Sequence, residues 1–119
     1  MFRKFCQTIV VPGTLTGPVS YTATIPSACT IQHVSLCQSN ALGAGRVKMG
    51  LSTDDDIFLT YKTMGVSNVP VVLEVPTDFR NSILPHLAAG DILKLYLDHD
   101  GASSTAAQDA TIVITFTEG

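Results

Sequence analysis

The sequence has no tryptophan, and only 14% of its 119 residues are charged, where an ordinary globular domain carries about 25%. Seven basic residues against ten acidic ones, for a formal net charge of −3, leave no clustered basic face to meet phosphates, which argues against nucleic acid as a partner. No apolar run approaches the roughly 20 residues that span a bilayer. The start, MFRKFCQTIVV, is interrupted by Gln7 and Thr8 and stopped by Pro12-Gly13 before a signal-type core can form, so neither a membrane segment nor a leader is expected. The chain is expected to be made in the cytoplasm.

Cysteine is scarce and odd in number. Cys6, Cys29 and Cys37 form no Cys-x-x-Cys motif and no metal cluster with His33, His86 or His99. If Cys29 and Cys37 share one extended strand, they lie about 26 Å apart, beyond the reach of a bridge. Reduced, partly buried thiols are expected.

What is present is β-forming. Hydrophobic residues make up 45% of the chain, which excludes a disordered tail, and no heptad or Gly-X-Y repeat occurs. Apolar and polar residues alternate over 19–25, 46–51, 57–62, 71–75, 92–98 and 110–117, the signature of half-buried strands. Residues 5–11 and 29–38 make two more. In the second, the parity shifts between Ile31 and Val34-Leu36, as at a bulge or a crossing between sheets. Turn residues punctuate the chain about every ten residues, and the one helical candidate, Phe79 to Ala89, is interrupted by Pro85. A polar, alanine-rich connection, Gly101 to Gln108, separates the last two strands. One domain over 1–119 is expected, an all-β antiparallel sandwich with about eight strands, most simply a jelly roll.

Sites of chemistry are few. Asp54-Asp55-Asp56, in a loop after Ser52-Thr53, is the densest charge cluster, and Asp98-His99-Asp100-Gly101 is a second acidic turn. If the two met at one end of the sandwich, five carboxylates could hold a cation such as Ca²⁺. The spaced Asp-x-Asp-x-Asp-Gly calcium pattern is absent, so a solvated turn is expected, with no metal and no cofactor. No nucleophile elbow, zinc-protease helix or phosphate loop occurs, and the histidines lack partners in sequence, so catalysis is not expected. A carbohydrate platform would need exposed aromatics, and Tyr21, Tyr61 and Tyr96 fall on separate strands. Phe2-Arg3-Lys4-Phe5 concentrates two of seven basic residues and two of five Phe. Residues 1–6 could serve as an arm that docks Phe into a neighbour's pocket and sets Arg3 and Lys4 on an acidic partner.

Four segments carry a resemblance: Pro26-Ser27-Ala28-Cys29; Gly50-Leu51-Ser52-Thr53-Asp54-Asp55-Asp56-Ile57-Phe58-Leu59; His86-Leu87-Ala88-Ala89-Gly90-Asp91 ahead of Leu93-x-Leu95-x-Leu97; and the closing Ala110 to Gly119. Over residues 25–119 the chain resembles the small capsid decoration, or cement, proteins of tailed bacteriophages. The corner at Leu87 to Leu97 is also similar to trimeric jelly-roll domains of the tumour necrosis factor and complement C1q type. The resemblance implies a homotrimeric jelly roll on the outside of a virion, bridging adjacent major capsid proteins. A head fibre base, a tail component and a carbohydrate-binding module are the alternatives. Charge concentrated at the N-terminus and in acidic turns, with strand faces left to Thr, Ser, Val and Tyr, fits sheets covered by other subunits.

Overall fold

The computed structural model describes residues 3–42, 45–101 and 105–118. Among them are nine strands: β1 (Lys4–Thr14), β2 (Val19–Thr24), β3 (Cys29–Cys37), β4 (Arg46–Leu51), β5 (Asp54–Thr63), β6 (Val71–Leu73), β7 (His86–Leu87), β8 (Ile92–Asp98) and β9 (Gln108–Glu118). They form two antiparallel sheets packed face to face, one in the order β1-β9-β3-β6 with β7 also on β3, the other in the order β2-β8-β4-β5. The pairing is nested: β1 with β9, β2 with β8, β3 with β6 and β7, β4 with β5. No described helix is long and apolar enough to cross a membrane.

Alternation explains the core directly. Val34, Leu36, Ile112, Ile114 and Phe116 point inward from the first sheet, and Val47, Met49, Leu59, Leu93, Leu95 and Leu97 from the second, each at most 2% exposed. Each such side chain stabilises the fold by about 1.5–3 kcal/mol relative to exposure. Tyr21 and Val19 of β2, with Phe5, Ile9 and Val11 of β1, pack along the margin of this core.

The parity shift in β3 is a bulge. Register with β9 slips between Ile31 and His33, so Gln32 is exposed while Ile31 and Val34 both turn inward, and β3 stays in one sheet throughout. Gln38, just past β3, is fully buried; its amide donates to the Asn40 carbonyl at 2.8 Å and its side-chain carbonyl accepts from Asn40 N at 2.7 Å. That local ring satisfies a polar group that would otherwise destabilise the sandwich end.

The helical candidate over Phe79 to Ala89, interrupted by Pro85, holds one 3-10 turn, Arg80–Ser82, followed by the short β7. Pro85 allows no continuation, and His86-Leu87 pair with Thr30 and Cys29 instead. The expected loop at Asp54-Asp55-Asp56 is the opening of β5, with Ser52-Thr53 alone making the turn. Partners Val47↔Lys62, Met49↔Leu59 and Leu51↔Asp54 show β5 bulging twice against β4. The extra residues disrupt its period, leaving Ile57 and Tyr61 exposed and Leu59 buried.

Candidate functional site

The arm expected at residues 1–6 is built into the sandwich from Arg3 onward; Phe2 lies outside the described residues. Lys4 and Phe5 pair with Thr117 and Phe116 of β9, and the Phe5 and Phe116 rings stack with centroids 4.9 Å apart. Arg3 donates to the Glu118 carboxylate at 2.8 Å, and its carbonyl accepts from Glu118 N at 2.8 Å. Arg3, Lys4, Phe5, Pro26, Ser27 and Glu118 line a cleft of about 260 Å³ at this end.

The two acidic segments do not meet. Asp98 pairs with Arg46 at one end of β4 and Asp54 with Leu51 at the other, so no five-carboxylate site forms. Within each segment the ligand-type atoms cluster, those of Asp54, Asp55 and Asp56 and those of Asp98, His99 and Asp100 lying within 4.8 Å of one another. Cations of the protein already answer several of these groups. Lys48 Nζ lies 3.1 Å from Asp55, Arg80 Nη1 2.9 Å from Asp56, and Arg46 Nε 3.0 Å from Asp98. The hydrogen bond to Asp55, aided by the fields of Tyr61, Asp55 and Asp56 and opposed by burial, holds the Lys48 ammonium above its ordinary 10.5.

Glycine 50 makes this arrangement possible. It faces outward on β4, and the bulged backbone of Asp54–Asp56 lies where its Cβ would be, within 2.7 Å of Asp56 N. That close approach brings Asp55 over Lys48 and Asp56 to Arg80.

His86 Nδ1 lies 3.1 Å from the Thr30 hydroxyl, and His99 Nε2 lies 3.8 Å from the Asp100 carboxylate. Burial, and secondarily the charge of Glu118, push the Cys29 thiol above its ordinary 9.0. Cys29 is buried in the core, while Cys6 is exposed and Cys37 half-buried on the opposite face of the same sheet.

Register divides the outer surfaces of the sandwich by charge. On the β2-β8-β4-β5 sheet, the outward positions include Arg46, Lys48, Lys94 and Asp98. Tyr61 and Tyr96, distant in sequence, both lie beside Lys48, each ring centroid 5.3 Å from Nζ, and the Arg46 guanidinium covers Tyr61 at 4.0 Å. These are cation–π stacks within an ion-paired surface. The β1-β9-β3-β6 sheet is different. Its outward rows run Cys6–Thr115–His33, then Thr8–Val113–Ser35–Val72, then Val10–Thr111–Cys37. None of these positions holds Asp, Glu, Lys or Arg; Lys4 borders the face at one end and Asp109 at the other. Val10 and Val72 are 60% and 53% exposed there. Sequence reasoning found the alternation but not the segregation, because alternation does not say which strands share a sheet.

No known protein family matches the chain, and no curated protein matches it at a significant level. Among solved structures, a chain of the cyanophage Pam1 capsid asymmetric unit has a similar fold, with a TM-score of 0.59 and 12% sequence identity. The match covers 99% of this chain and 85% of that one.

Proposed function

We propose that the chain is a capsid decoration, or cement, protein: a jelly-roll sandwich that associates as a homotrimer, binds the outside of a phage head and bridges major capsid proteins without catalysis. The observation that carries this reading is the likeness in fold, over 99% of the chain, to a chain of a phage capsid unit. The nested strand pairing supports the jelly-roll assignment, since it is what results when one long antiparallel hairpin is rolled into two four-stranded layers. The charge-free outer face supports a life in contact with other subunits.

Such a role needs little chemistry. A protein that binds only the assembled shell stabilises it by mass action, and repetition over the shell multiplies a weak contact. In this reading Lys4, and Arg3 with its Glu118 partner, line a cleft that an acidic capsid surface would contact. Among the described residues, His86 meets the Thr30 hydroxyl and His99 the Asp100 carboxylate as separate pairs, with no third group completing a triad at either, which supports a role without catalysis. A carbohydrate-binding reading needs open ring faces, and Tyr61 already carries Arg46.

Cosedimentation with purified capsids of the encoding phage tests the reading. The protein is expected to pellet with mature shells and to raise their melting temperature. Protein that stays in the supernatant over every shell maturation state would refute the decoration role.

A further inference from the structure

We propose that a second copy of this chain packs on the outer face of the β1-β9-β3-β6 sheet, making that face the self-association surface. The inference deepens the oligomeric part of the reading above and rests on it for the expectation of a homo-oligomer, not on the identity of the shell.

Three properties of the face select a copy of itself as the occupant. The first is charge. An acidic or basic partner is recognised by fixed charge, and the three central rows of this face hold no Asp, Glu, Lys or Arg and a single imidazole, His33, whereas the opposite sheet displays Arg46, Lys48 and Lys94. Loss of charge at the core of a contact, with Val methyls exposed, is the composition of homotypic interfaces. Charge is confined to the margins, Lys4 at one end and Asp109 at the other, where it would form the polar rim of a contact whose centre is uncharged.

The second is hydrogen-bonding capacity. Thr8, Thr111, Thr115 and Ser35 present hydroxyls, each a donor and an acceptor, so the same rows on another copy can satisfy them in either sense. A charged face lacks this self-complementarity, because identical charges would meet unless the two patches were offset.

The third is size. The molecule measures 41 × 26 × 26 Å, so a standard interface of roughly 800 Å² per partner would take most of one long face, with the three uncharged rows at its centre and the Lys4 and Asp109 margins within it. Three such faces turned toward a common axis would enclose a Thr- and Val-lined interior, which accommodates the trimer without using the charged sheet.

A native thiol reports on the contact. Cys6 is exposed within the first row, its sulfur 3.4 Å from the Thr115 hydroxyl, while Cys29 is shut in the core. The experiment is sedimentation velocity on the full chain from low to high micromolar concentration, paired with maleimide labelling of Cys6. Thr8→Glu places a charge at an exposed position of this face, and Thr22→Glu places one at an exposed position of β2 in the other sheet.

Wild type and Thr22→Glu are expected to associate, with Cys6 labelled about tenfold more slowly at the top of the range. Thr8→Glu is expected to remain a folded monomer by circular dichroism, with labelling independent of concentration. Should Thr8→Glu fail to fold, the concentration dependence of wild-type labelling decides alone. A monomeric wild type, a Thr8→Glu variant that associates like wild type, or Cys6 labelling that ignores concentration overturns the proposal. A wild-type monomer that still pellets with capsids overturns this proposal and leaves the decoration role standing. An oligomer with Cys6 protected that ignores capsids does the reverse.

Discussion

Replacing Gly50 by alanine tests whether the charged sheet is organised by one close backbone approach. An added Cβ would lie 2.5 Å from the Asp55 carbonyl carbon and 2.7 Å from Asp56 N, and nearer still to the Asp54 carbonyl oxygen. These are backbone atoms, so no side-chain rotation relieves the overlap; the β5 bulge must lift as a unit. Overpacking of this kind costs about 1–3 kcal/mol. Lifting the bulge also draws Asp55 from Lys48 and Asp56 from Arg80, partly exposed pairs worth up to about 1 kcal/mol each. A total of about 1–5 kcal/mol corresponds to a fall in melting temperature of roughly 4–25 °C for a domain of this size. Gly17→Ala is the control, since nothing lies within 4 Å of its added Cβ and its φ is not positive. It should change stability by less than about 1 kcal/mol, in the stabilising direction, by restricting the unfolded chain. Thermal melts followed by circular dichroism read both variants. A Gly50→Ala protein melting within about 2 °C of wild type, or a Gly17→Ala protein losing as much as Gly50→Ala, refutes the reasoning.

Two further outcomes follow from the same surface. Lys48 has a folded-state pKa above its ordinary 10.5, so its contribution is complete below that pH and is lost as pH rises through the folded value. Lys48→Met should therefore lower stability by less than about 1 kcal/mol near neutral pH, and urea titrations should show the difference disappearing at strongly alkaline pH; a difference that persists there contradicts the ion-pair account. Because Lys48 and Arg80 already neutralise Asp55 and Asp56, millimolar Ca²⁺ should leave the melting temperature of wild type and of Asp54→Asn unchanged; a calcium-dependent rise in wild type that the substitution removes would reinstate a cation site.

The strands were legible because a period of two survives wherever one face is buried. Leu93, Leu95 and Leu97, and Ile112, Ile114 and Phe116, fall inward as the alternation predicts. Where the structure departs from the pattern, the cause is a partner far along the chain. The bulges of β5 depend on the bare Gly50 across the hairpin, so Asp54–Asp56 read as a loop and the exposure of Ile57 did not follow from the alternation over 57–62. β7 exists because Thr30 and Cys29 offer His86 and Leu87 a free edge, which no local propensity encodes. The burial of Gln38 was equally invisible, since its polar groups are answered by a turn formed at Asn40. Candidate chemistry was less legible still. Tyr61 and Tyr96 look scattered until β4 sets Lys48 between them, and the acidic segments look combinable until β4 separates them along its length.

The low charge of the chain therefore has a geometry. A shortage spread evenly would leave both outer faces half-solvated; here the outward positions of β4 and β8 carry much of the strand charge, and those of β1, β3 and β9 carry Thr, Val, Ser and Cys between Lys4 and Asp109. The first and last strands are the main contributors to the neutral face. Pairing β1 with β9 closes the nested set, so the neutral face is complete only once the two ends of the chain have met. A copy that recognised this face would bind the folded chain and not its partly paired precursors, which couples assembly to completed folding by mass action. Under the proposed function the order of events is then folding first, self-association second, and engagement of a shell by the surfaces that remain free.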